Sequence, residues 1–280
     1  AKQIHVVAPS VWAWRPGRAE KISKFLDGLV CFFPFEPPYF EKYGLRSMSM
    51  GHPAINAPSA TADPAQLRKT LDIKPDDITL GLYLGSRAGV VERHAPLFIA
   101  AVNMLAQTHK NIRVLIPTFP VLADRVRALT QDLGVRYHVV TDPVMKPMAM
   151  RACDVALAVS GTVGLELAIA NVPHVVGYRA SWLTALIVKR LIKPGQFAHL
   201  ANIVLDRMVV PELIQDHCTP EELSKAMSRL MDDQAAAMLQ QTAFATVRRA
   251  IGEGADVTPA DKAAGFVLGT TGVLVWWVGA

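Results

Sequence analysis

The sequence predicts an α/β protein built on parallel sheets. From Ile78 to Tyr178, short apolar runs alternate with amphipathic segments, which is the pattern of a parallel sheet covered by helices on both faces. Two similar apolar runs lie within the first 33 residues. Between these parts, residues 34–64 are rich in proline and contain no long periodic segment, so we expect a domain boundary near residues 51–64.

Each predicted element follows from its hydrophobic pattern. In the first part, a helix at 18–27 separates strands at 3–8 and 28–33, and Ile4 to Ala8 is expected to be buried. In the second part, the predicted strands are 78–84, 112–117, 136–140, 154–159 and 174–178, and the predicted helices lie around 91–109, 120–133, 145–152 and 161–171. Beyond residue 180 the chain is predicted to be helical. One of these helices has Thr219 as its N-cap and Pro220 at its first position.

The composition indicates a folded protein and argues against a nucleic-acid binder. Hydrophobic residues make up 51% of the 280 residues and charged residues 19%, as in packed globular proteins. Lys and Arg give a net charge of +5, but these residues are dispersed and form no basic tract. An anionic substrate or an anionic membrane surface fits this charge, and so does a merely solvated basic surface.

Motifs for metal, cofactor or nucleoside triphosphate chemistry are absent from the sequence. The three cysteines are widely spaced without C-x-x-C, which argues against a disulfide framework and a zinc site. H-E-x-x-H, G-x-S-x-G, the P-loop and G-x-G-x-x-G do not occur either. We therefore expect neither a metal nor a cofactor.

The first candidate for ligand binding is the turn Gly85-Ser86-Arg87. It follows an apolar strand, and open α/β sheets bind ligands at the carboxyl ends of their strands. Glycine allows close backbone approach, serine offers a hydroxyl and arginine offers a charged fork for phosphate. Taken alone, this stretch also fits an ordinary turn with a surface arginine.

The second candidate is the turn Ser160-Gly161-Thr162, with Glu166 on the helix that follows. The first N–H groups of a helix have no intrahelical partner and carry partial positive charge, so this turn suits a phosphate. Glu166 lies one turn further along and suits the hydroxyls of a ribose. The alternative is a helix start capped by Thr162, with Glu166 as a solvated acid. Two such turns in one sheet favour the ligand-binding interpretation.

Two further segments suggest contact with apolar surroundings. Residues 178–193 place leucine and isoleucine at helical spacing among basic residues, which suits a membrane interface or a helix packed on its own domain. Residues 263–280 carry no charge. They are only marginally long enough to span a membrane, so packing against the protein is the preferred interpretation.

Short blocks of the sequence resemble, in chain order, the lipid-A-disaccharide synthase family. The blocks are PSVWAWR (9–15), FPFE (33–36), GH (51–52), LGSR (84–87), SGTVGLE (160–166), VGYR (176–179), LANI (200–203) and PELIQ (211–215). The first block is highly specific, whereas each Gly-rich turn alone is weak. The resemblance covers about residues 3–262 and implies an inverting glycosyltransferase of the two-domain GT-B type.

The resemblance also implies substrates and a location. Family members join UDP-2,3-diacylglucosamine to 2,3-diacylglucosamine 1-phosphate and release UDP, in making the lipid A of Gram-negative outer membranes. The implied partners are thus an acylated donor, an acylated acceptor and the inner-membrane surface, with no nucleic acid. The implied location is the cytoplasm, in peripheral association with that membrane.

By position, the resemblance assigns substrate binding to residues of four blocks, namely Ser86, Arg87, Ser160, Gly161, Thr162, Glu166, Asn202 and Gln215. Arg87, with Ser86, would stabilise the departing UDP. The turn at 160–162 would donate N–H groups to the phosphates, and Glu166 would hold the ribose. The last two residues lie in blocks that face the family's cleft.

The resemblance divides the chain into a remnant of an N-terminal Rossmann-like domain at 1–53, a complete C-terminal UDP-sugar domain at 54–255 and an apolar segment at 256–280. The general base of the family is expected upstream of Ala1, so we expect the chain alone not to catalyse disaccharide synthesis. Departures from the family occur at Leu84 and Ala201, where proline is usual, and at Val90, where an acid is usual.

Other functions remain open at this point. Another UDP-sugar enzyme of the same architecture, a muramyl-pathway transferase or a UDP-sugar epimerase, would share the two turns, although PSVWAWR argues against both. A UDP-binding or membrane-surface module without turnover is the alternative from a different class.

Overall fold

Residues 1–13, 15–180 and 197–272 are described by the computed structural model. They belong to two units. The first contains residues 1–56 and 248–272 of the described chain, and the second contains 57–180 and 197–247.

The first unit contains a parallel sheet of three short strands, in the order β1 (Ile4–Val6), β2 (Gly28–Cys31) and β3 (Ser47–Ser49). Helices α1 (Gly17–Ser23) and α2 (Pro38–Glu41) connect them. Leu29 and Cys31 of β2 lie in one apolar cluster, and Val30 on the opposite face lies in another. This alternation follows from the two-residue period of a strand.

The second unit contains a parallel sheet of six strands in the order β6-β5-β4-β7-β8-β9. The strands are β4 (Ile78–Tyr83), β5 (Ile112–Pro117), β6 (Arg136–Val140), β7 (Val155–Val159), β8 (His174–Tyr178) and β9 (Glu212–Ile214). The chain builds outward from β4 to β6 and then returns to build outward from β7 to β9. The reversal of strand order therefore falls between β4 and β7, which are direct neighbours.

Helices cover both faces of this sheet. In chain order they are α3 (Pro58–Thr61), α4 (Ala65–Thr70), α5 (Ala88–Thr108), α6 (Ala123–Thr130), α7 (Met145–Arg151), α8 (Thr162–Ile169), α9 (Leu200–Leu205), α10 (Pro220–Asp232) and α11 (Gln234–Ala250), of which α11 continues into the first unit. Leu80 and Leu82 of β4 pack with α5 and α10 on one face, and Tyr83 packs with α7 and α8 on the other. The continuous apolar strands of the sequence are thus buried on both sides.

The parallel sheets confirm the predicted α/β class. The predicted helix start is also confirmed, because the Thr219 hydroxyl caps α10 by accepting from the Glu222 N–H. The prediction that Ile4 to Ala8 is a buried strand is wrong for β1. Only Ile4–Val6 is a strand, and Val6 is 47% exposed. Among the described residues β1 pairs with β2 alone, so one edge and much of its side-chain surface stay uncovered.

The two units differ from the predicted division at 1–53, 54–255 and 256–280. Residues 248–272 belong with the first unit, because the Ile251 carbonyl accepts a hydrogen bond from the His52 N–H and Phe266 packs against Gly28 of β2. Phe266 lies on helix α12 (Pro259–Thr271), so this part of the apolar tail is packed on the protein. Residues 273–280 and most of the predicted amphipathic helix at 178–193 lie outside the described residues. Within the described ranges, every helix is too short or too polar to cross a bilayer.

Candidate functional site

The two predicted turns lie side by side at the carboxyl edge of the six-stranded sheet. β4 and β7 are paired with Tyr83 opposite Ala158, so the residues that follow each strand are also neighbours. A Cβ atom added to Gly85 would lie 3.3 Å from the Val159 Cγ2 atom. Because the strand order reverses between these two strands, the turns flank the crevice in which open α/β sheets bind their ligands.

The turn after β4 requires glycine and exposes a cation. Gly85 has φ +109°, a left-handed conformation that other residues rarely adopt, and a Cβ atom there would meet the Val90 Cγ1 atom at 2.7 Å. Ser86 and Arg87 are exposed, and Arg87 is the N-cap residue of α5. Within the described chain, its guanidinium forms neither a hydrogen bond nor an ion pair. The turn therefore presents a hydroxyl and a charged fork at the start of a long helix.

The turn after β7 presents backbone N–H groups at the start of α8. Gly161 is the N-cap residue, and Gly161 and Thr162 are exposed. Thr162 is the first helical residue, and the described residues contain no side-chain cap at this helix start. The predicted alternative, a helix capped by Thr162, therefore does not apply. These first N–H groups of the helix are available to a ligand.

Glu166 lies one helical turn after the Ser160–Thr162 turn and is half-buried. Burial raises the pKa of its carboxyl. Its side chain forms no hydrogen bond or ion pair with any described residue. Its environment is thus not that of a solvated surface acid, which is the alternative that the sequence left open.

Asn202 does not fit its predicted contact with a ligand. The side chain is fully buried, and its amide nitrogen donates to the Val210 carbonyl at 2.8 Å and to Glu212 Oε1 at 2.7 Å. The amide oxygen accepts from the N–H groups of Val209 and Val210 at 2.8 and 2.9 Å. Two donor and two acceptor positions are all that an amide has, so these bonds use the side chain completely. We correct its role to that of an internal brace between α9 and β9.

Gln215 directly follows β9 at the same carboxyl edge and is partly exposed. Its φ is +56°, which is uncommon for a residue other than glycine. Strained backbone of this kind concentrates at functional sites, so Gln215 remains a candidate.

The structure adds residues after β5 that the sequence reasoning did not identify. Thr118 follows Pro117 and is buried, and its hydroxyl has no hydrogen-bond partner among the described residues. The next residue, Phe119, is half exposed, with the Lys146 ammonium 4.3 Å from the centre of its ring. Val144, 69% exposed, ends the neighbouring loop after β6 and is the N-cap residue of α7. In the sequence, only the end of the strand before Thr118 pointed to this region. Val144 and Lys146 follow a different strand, so no local pattern connects them with Thr118 and Phe119.

The described residues contain no group of three or more His, Cys, Asp or Glu side chains placed to hold a metal. The two turns and the start of α8 instead present exposed N–H donors, hydroxyls, the Arg87 guanidinium and the half-buried Glu166 carboxyl. Such a set suits a phosphorylated ligand that carries neighbouring hydroxyls.

Comparison with known proteins gives the family. The family model for lipid-A-disaccharide synthetase matches residues 1–262. The chain belongs to this family. It is 41% identical over 265 residues to a lipid-A-disaccharide synthase of Rhodospirillum centenum, covering 95% of this chain and 66% of that protein. It is 40% identical over 263 residues to the synthase of Ruegeria pomeroyi, covering 90% and 64%. The chain thus spans about two thirds of these relatives.

Solved structures of more distant proteins share the fold of this synthase-family chain. A co-structure of S. aureus MnaA with UDP has a TM-score of 0.62 at 14% identity, over 90% of this chain and 63% of that one. WaaG, a glycosyltransferase involved in lipopolysaccharide biosynthesis, has a TM-score of 0.53 at 18% identity, over 86% and 62%. These likenesses establish an α/β fold of the GT-B type.

Proposed function

We propose that this chain carries the donor-nucleotide site of a lipid-A-disaccharide synthase, which joins UDP-2,3-diacylglucosamine to 2,3-diacylglucosamine 1-phosphate and releases UDP. One observation carries the proposal: the turns Gly85–Arg87 and Ser160–Thr162 lie on adjacent strands where the strand order reverses. Family membership supports the identity of the two sugars.

The two turns receive the diphosphate. The Arg87 guanidinium and Ser86 hydroxyl bind it from the start of α5, and N–H groups of residues 160–162 bind it from the start of α8. Negative charge accumulates on the departing UDP in the transition state. Donors that are already in place for this charge lower the barrier to its departure. Arg87 is thus a catalytic residue in this proposal, acting on the leaving group.

Glu166 binds the ribose in this proposal. Its position one turn into α8 places it next to the diphosphate, and its half-buried carboxyl can accept hydrogen bonds from two neighbouring hydroxyls. Phe119 and Val144 supply apolar surface for the flat base at the end of the neighbouring strands. Gln215 is retained as a contact to the sugar side of the donor.

The binding experiment is calorimetric titration of the 280-residue chain with UDP. Arg87→Ala should weaken binding by about 1.5–3 kcal/mol, the value of a charge-assisted hydrogen bond. Arg127→Ala is the matched control, because Arg127 is an exposed arginine of α6 paired with Asp124 at 2.9 Å. Equal affinity of the Arg87 variant and the control would remove Arg87 from the site.

The ribose contact has its own titration. Glu166→Gln should weaken UDP by more than it weakens 2′,3′-dideoxy-UDP, because the second ligand lacks the hydroxyls that the carboxyl binds. Arg87→Ala should weaken both ligands equally. The same loss with both ligands in the Glu166 variant would show that the contact is not to the ribose.

A second candidate function is that of a UDP-sugar epimerase. The neighbour from Neisseria meningitidis is described as UDP-GlcNAc 2-epimerase bound to UDP-GlcNAc, with a TM-score of 0.56 at 12% identity, over 88% of this chain and 67% of that one. Competition against bound UDP separates the two functions. A synthase should prefer UDP-2,3-diacylglucosamine to UDP-GlcNAc, whereas an epimerase should bind UDP-GlcNAc at least as well.

We also propose a cytoplasmic location at the inner-membrane surface. The acyl chains of both proposed substrates anchor them in a bilayer, and the basic and apolar residues of 178–193 suit the interface of an anionic membrane. The chain should co-sediment with vesicles that contain phosphatidylglycerol and should be released by salt. Equal retention by phosphatidylcholine vesicles would argue against an electrostatic contribution.

A further inference from the structure

Two histidines are buried next to α8, outside the ligand contacts described above. His174 is the first residue of β8, and His199 precedes α9. Their Nε2 atoms are 2.9 Å apart, and both side chains are almost completely buried. Isolated buried polar groups are costly, so this pair needs a complete set of hydrogen bonds.

The surroundings satisfy both rings in their neutral forms. His199 Nδ1 accepts from the Ala201 N–H at 3.1 Å, so the ring proton of His199 is on Nε2 and is donated to His174 Nε2. His174 Nδ1 in turn donates to the Val172 carbonyl at 2.8 Å. Burial lowers the pKa of both imidazoles, in agreement with a neutral pair.

The pair is held on several sides. Glu212 accepts from the N–H groups of Ala198 and His199 at 2.8 and 2.9 Å. Gln240 bonds both the N–H and the carbonyl of His174, and the Phe244 ring stacks on the His174 ring with centroids 5.3 Å apart. The His199 imidazole is therefore fixed from β9 on one side and, through His174, from α11 on the other.

The fixed imidazole of His199 lies against the first turn of α8. A Cβ atom added to Gly164 would overlap His199 Nε2 and lie 2.7 Å from its Cδ2 atom. Gly164 is the third residue of the helix that begins at Thr162. Its φ is not in the left-handed region, so the local backbone does not require glycine. The imidazole occupies the volume that a side chain at position 164 would take.

We infer that His199 is a positioning residue for the diphosphate turn. Held by His174, its ring sets how closely the first turn of α8 approaches β8 and α9, and thereby fixes the position of the N–H groups that the turn at residues 160–162 presents. The expected effect of His199 on UDP affinity rests on the proposed function. The packing of His199 on Gly164 stands without it.

Two substitutions of His199 separate positioning from helix capping. His199→Gln keeps an amide at the reach of Nε2, so it can still bond His174 and contact Gly164. His199→Asn keeps only an acceptor near the Nδ1 position, which caps α9. We expect UDP affinity close to wild type for the glutamine variant and a loss of about 10- to 100-fold for the asparagine variant, because small misplacements of binding groups cost this much.

A double-mutant cycle tests the contact itself. Gly164→Ala should weaken UDP binding by about 10-fold or more, because the new methyl group displaces the helix start. The same substitution in a His199→Ala background should have much less effect, because the methyl group then has room. Gly134→Ala is the control, since a Cβ atom there makes only an ordinary 3.4 Å contact with Asn103 Oδ1. All titrations are run well below the unfolding temperature of each variant.

Amide chemical shifts of the ligand-free chain report the conformation of the diphosphate turn independently of UDP binding. Shifts at residues 162–165 should change more in His199→Asn than in His199→Gln, relative to wild type. Equal shifts in the two His199 variants would overturn the inference, as would additive effects of Gly164→Ala and His199→Ala on UDP affinity. If wild type binds no UDP, the proposed function fails, and the amide shifts still decide the role of His199.

Discussion

Asn202→Asp tests whether Asn202 braces the protein or contacts the ligand. The substitution keeps the size of the side chain but replaces its amide nitrogen by an oxygen. That atom donates to the Val210 carbonyl at 2.8 Å and to Glu212 Oε1 at 2.7 Å. The aspartate variant therefore leaves a buried carbonyl without its donor and places two carboxyls in contact.

The expected destabilisation can be worked from these contacts. The unsatisfied carbonyl costs about 1–3 kcal/mol. Two carboxyls in contact must share a proton, and holding a carboxyl of ordinary pKa near 4 protonated at pH 7 costs up to about 4 kcal/mol. The free energy of unfolding should fall by about 3–6 kcal/mol at pH 7, a large part of the 5–15 kcal/mol that is typical of a protein.

The pH dependence identifies the cause. The pKa of the new carboxyl is raised in the folded state, so the folded state binds more protons than the unfolded state. Protonation of this carboxyl therefore stabilises the folded state fully at pH values below the ordinary pKa, and this stabilisation is lost as the pH rises through the raised pKa. The variant should therefore recover about 2–3 kcal/mol relative to wild type between pH 7 and pH 5.

The assay is urea unfolding followed by far-UV circular dichroism at both pH values, with UDP titration in parallel. Asn103→Asp is the matched control. Asn103 is partly exposed, donates to the Asp132 carbonyl at 3.0 Å and accepts from the Gly134 N–H at 2.8 Å. Its variant should lose less than about 1 kcal/mol at either pH. If Asn202→Asp loses UDP affinity while its stability matches that of the control, Asn202 acts on the ligand and the brace is refuted.

Three further predictions concern groups outside the ligand contacts. Glu36→Gln should destabilise the protein to urea by about 1–3 kcal/mol, because Glu36 accepts hydrogen bonds from the indole of Trp12 and from two backbone N–H groups. An unchanged unfolding midpoint would contradict a contribution of these bonds to stability. The three buried cysteines should react with iodoacetamide roughly 10³-fold more slowly in the native than in the denatured chain. The reason is that burial raises the pKa of Cys31 to about 12 and also raises the pKa of Cys153. Comparable rates would show that the thiols are accessible. Burial lowers the pKa of His174 to about 4, so His174 contributes stability that is complete above the ordinary pKa of 6.5 and is lost as the pH falls toward 4, by about 3 kcal/mol. In urea titrations, His174→Gln should lose less stability than wild type over this pH range. An identical loss would contradict the prediction.

The strands of the second unit could be predicted because their hydrophobic runs are long and bounded by turns. Residues 112–117, 136–140 and 174–178 are strands with the predicted bounds. β3 and β9 were missed, because each has only three residues and is half-buried throughout. A pattern of that length cannot distinguish a strand from a loop.

The candidate site could be predicted only where the relevant groups are close in sequence. The turns at Gly85–Arg87 and Ser160–Thr162 are local patterns, and the sheet brings them together as parallel strands require. The environment of Asn202 depends on how β9 docks beside α9, which no local pattern specifies. Its side chain therefore resembled a ligand contact in sequence and is an internal brace in the fold.

Gly85 and Gly164 are both glycines of the candidate site, but each position requires glycine for a different physical reason. Gly85 is required by its own backbone, at φ +109°, so no change elsewhere in the protein removes the strain of a side chain there. Gly164 has ordinary helical backbone and is required by a residue 35 positions away, because His199 fills the space of its side chain. The first turn is therefore determined by its own few residues. The second depends on the buried His174 and His199 and on the half-buried Glu212. The geometry of the proposed phosphate donors on α8 is therefore a property of the whole second half of this unit.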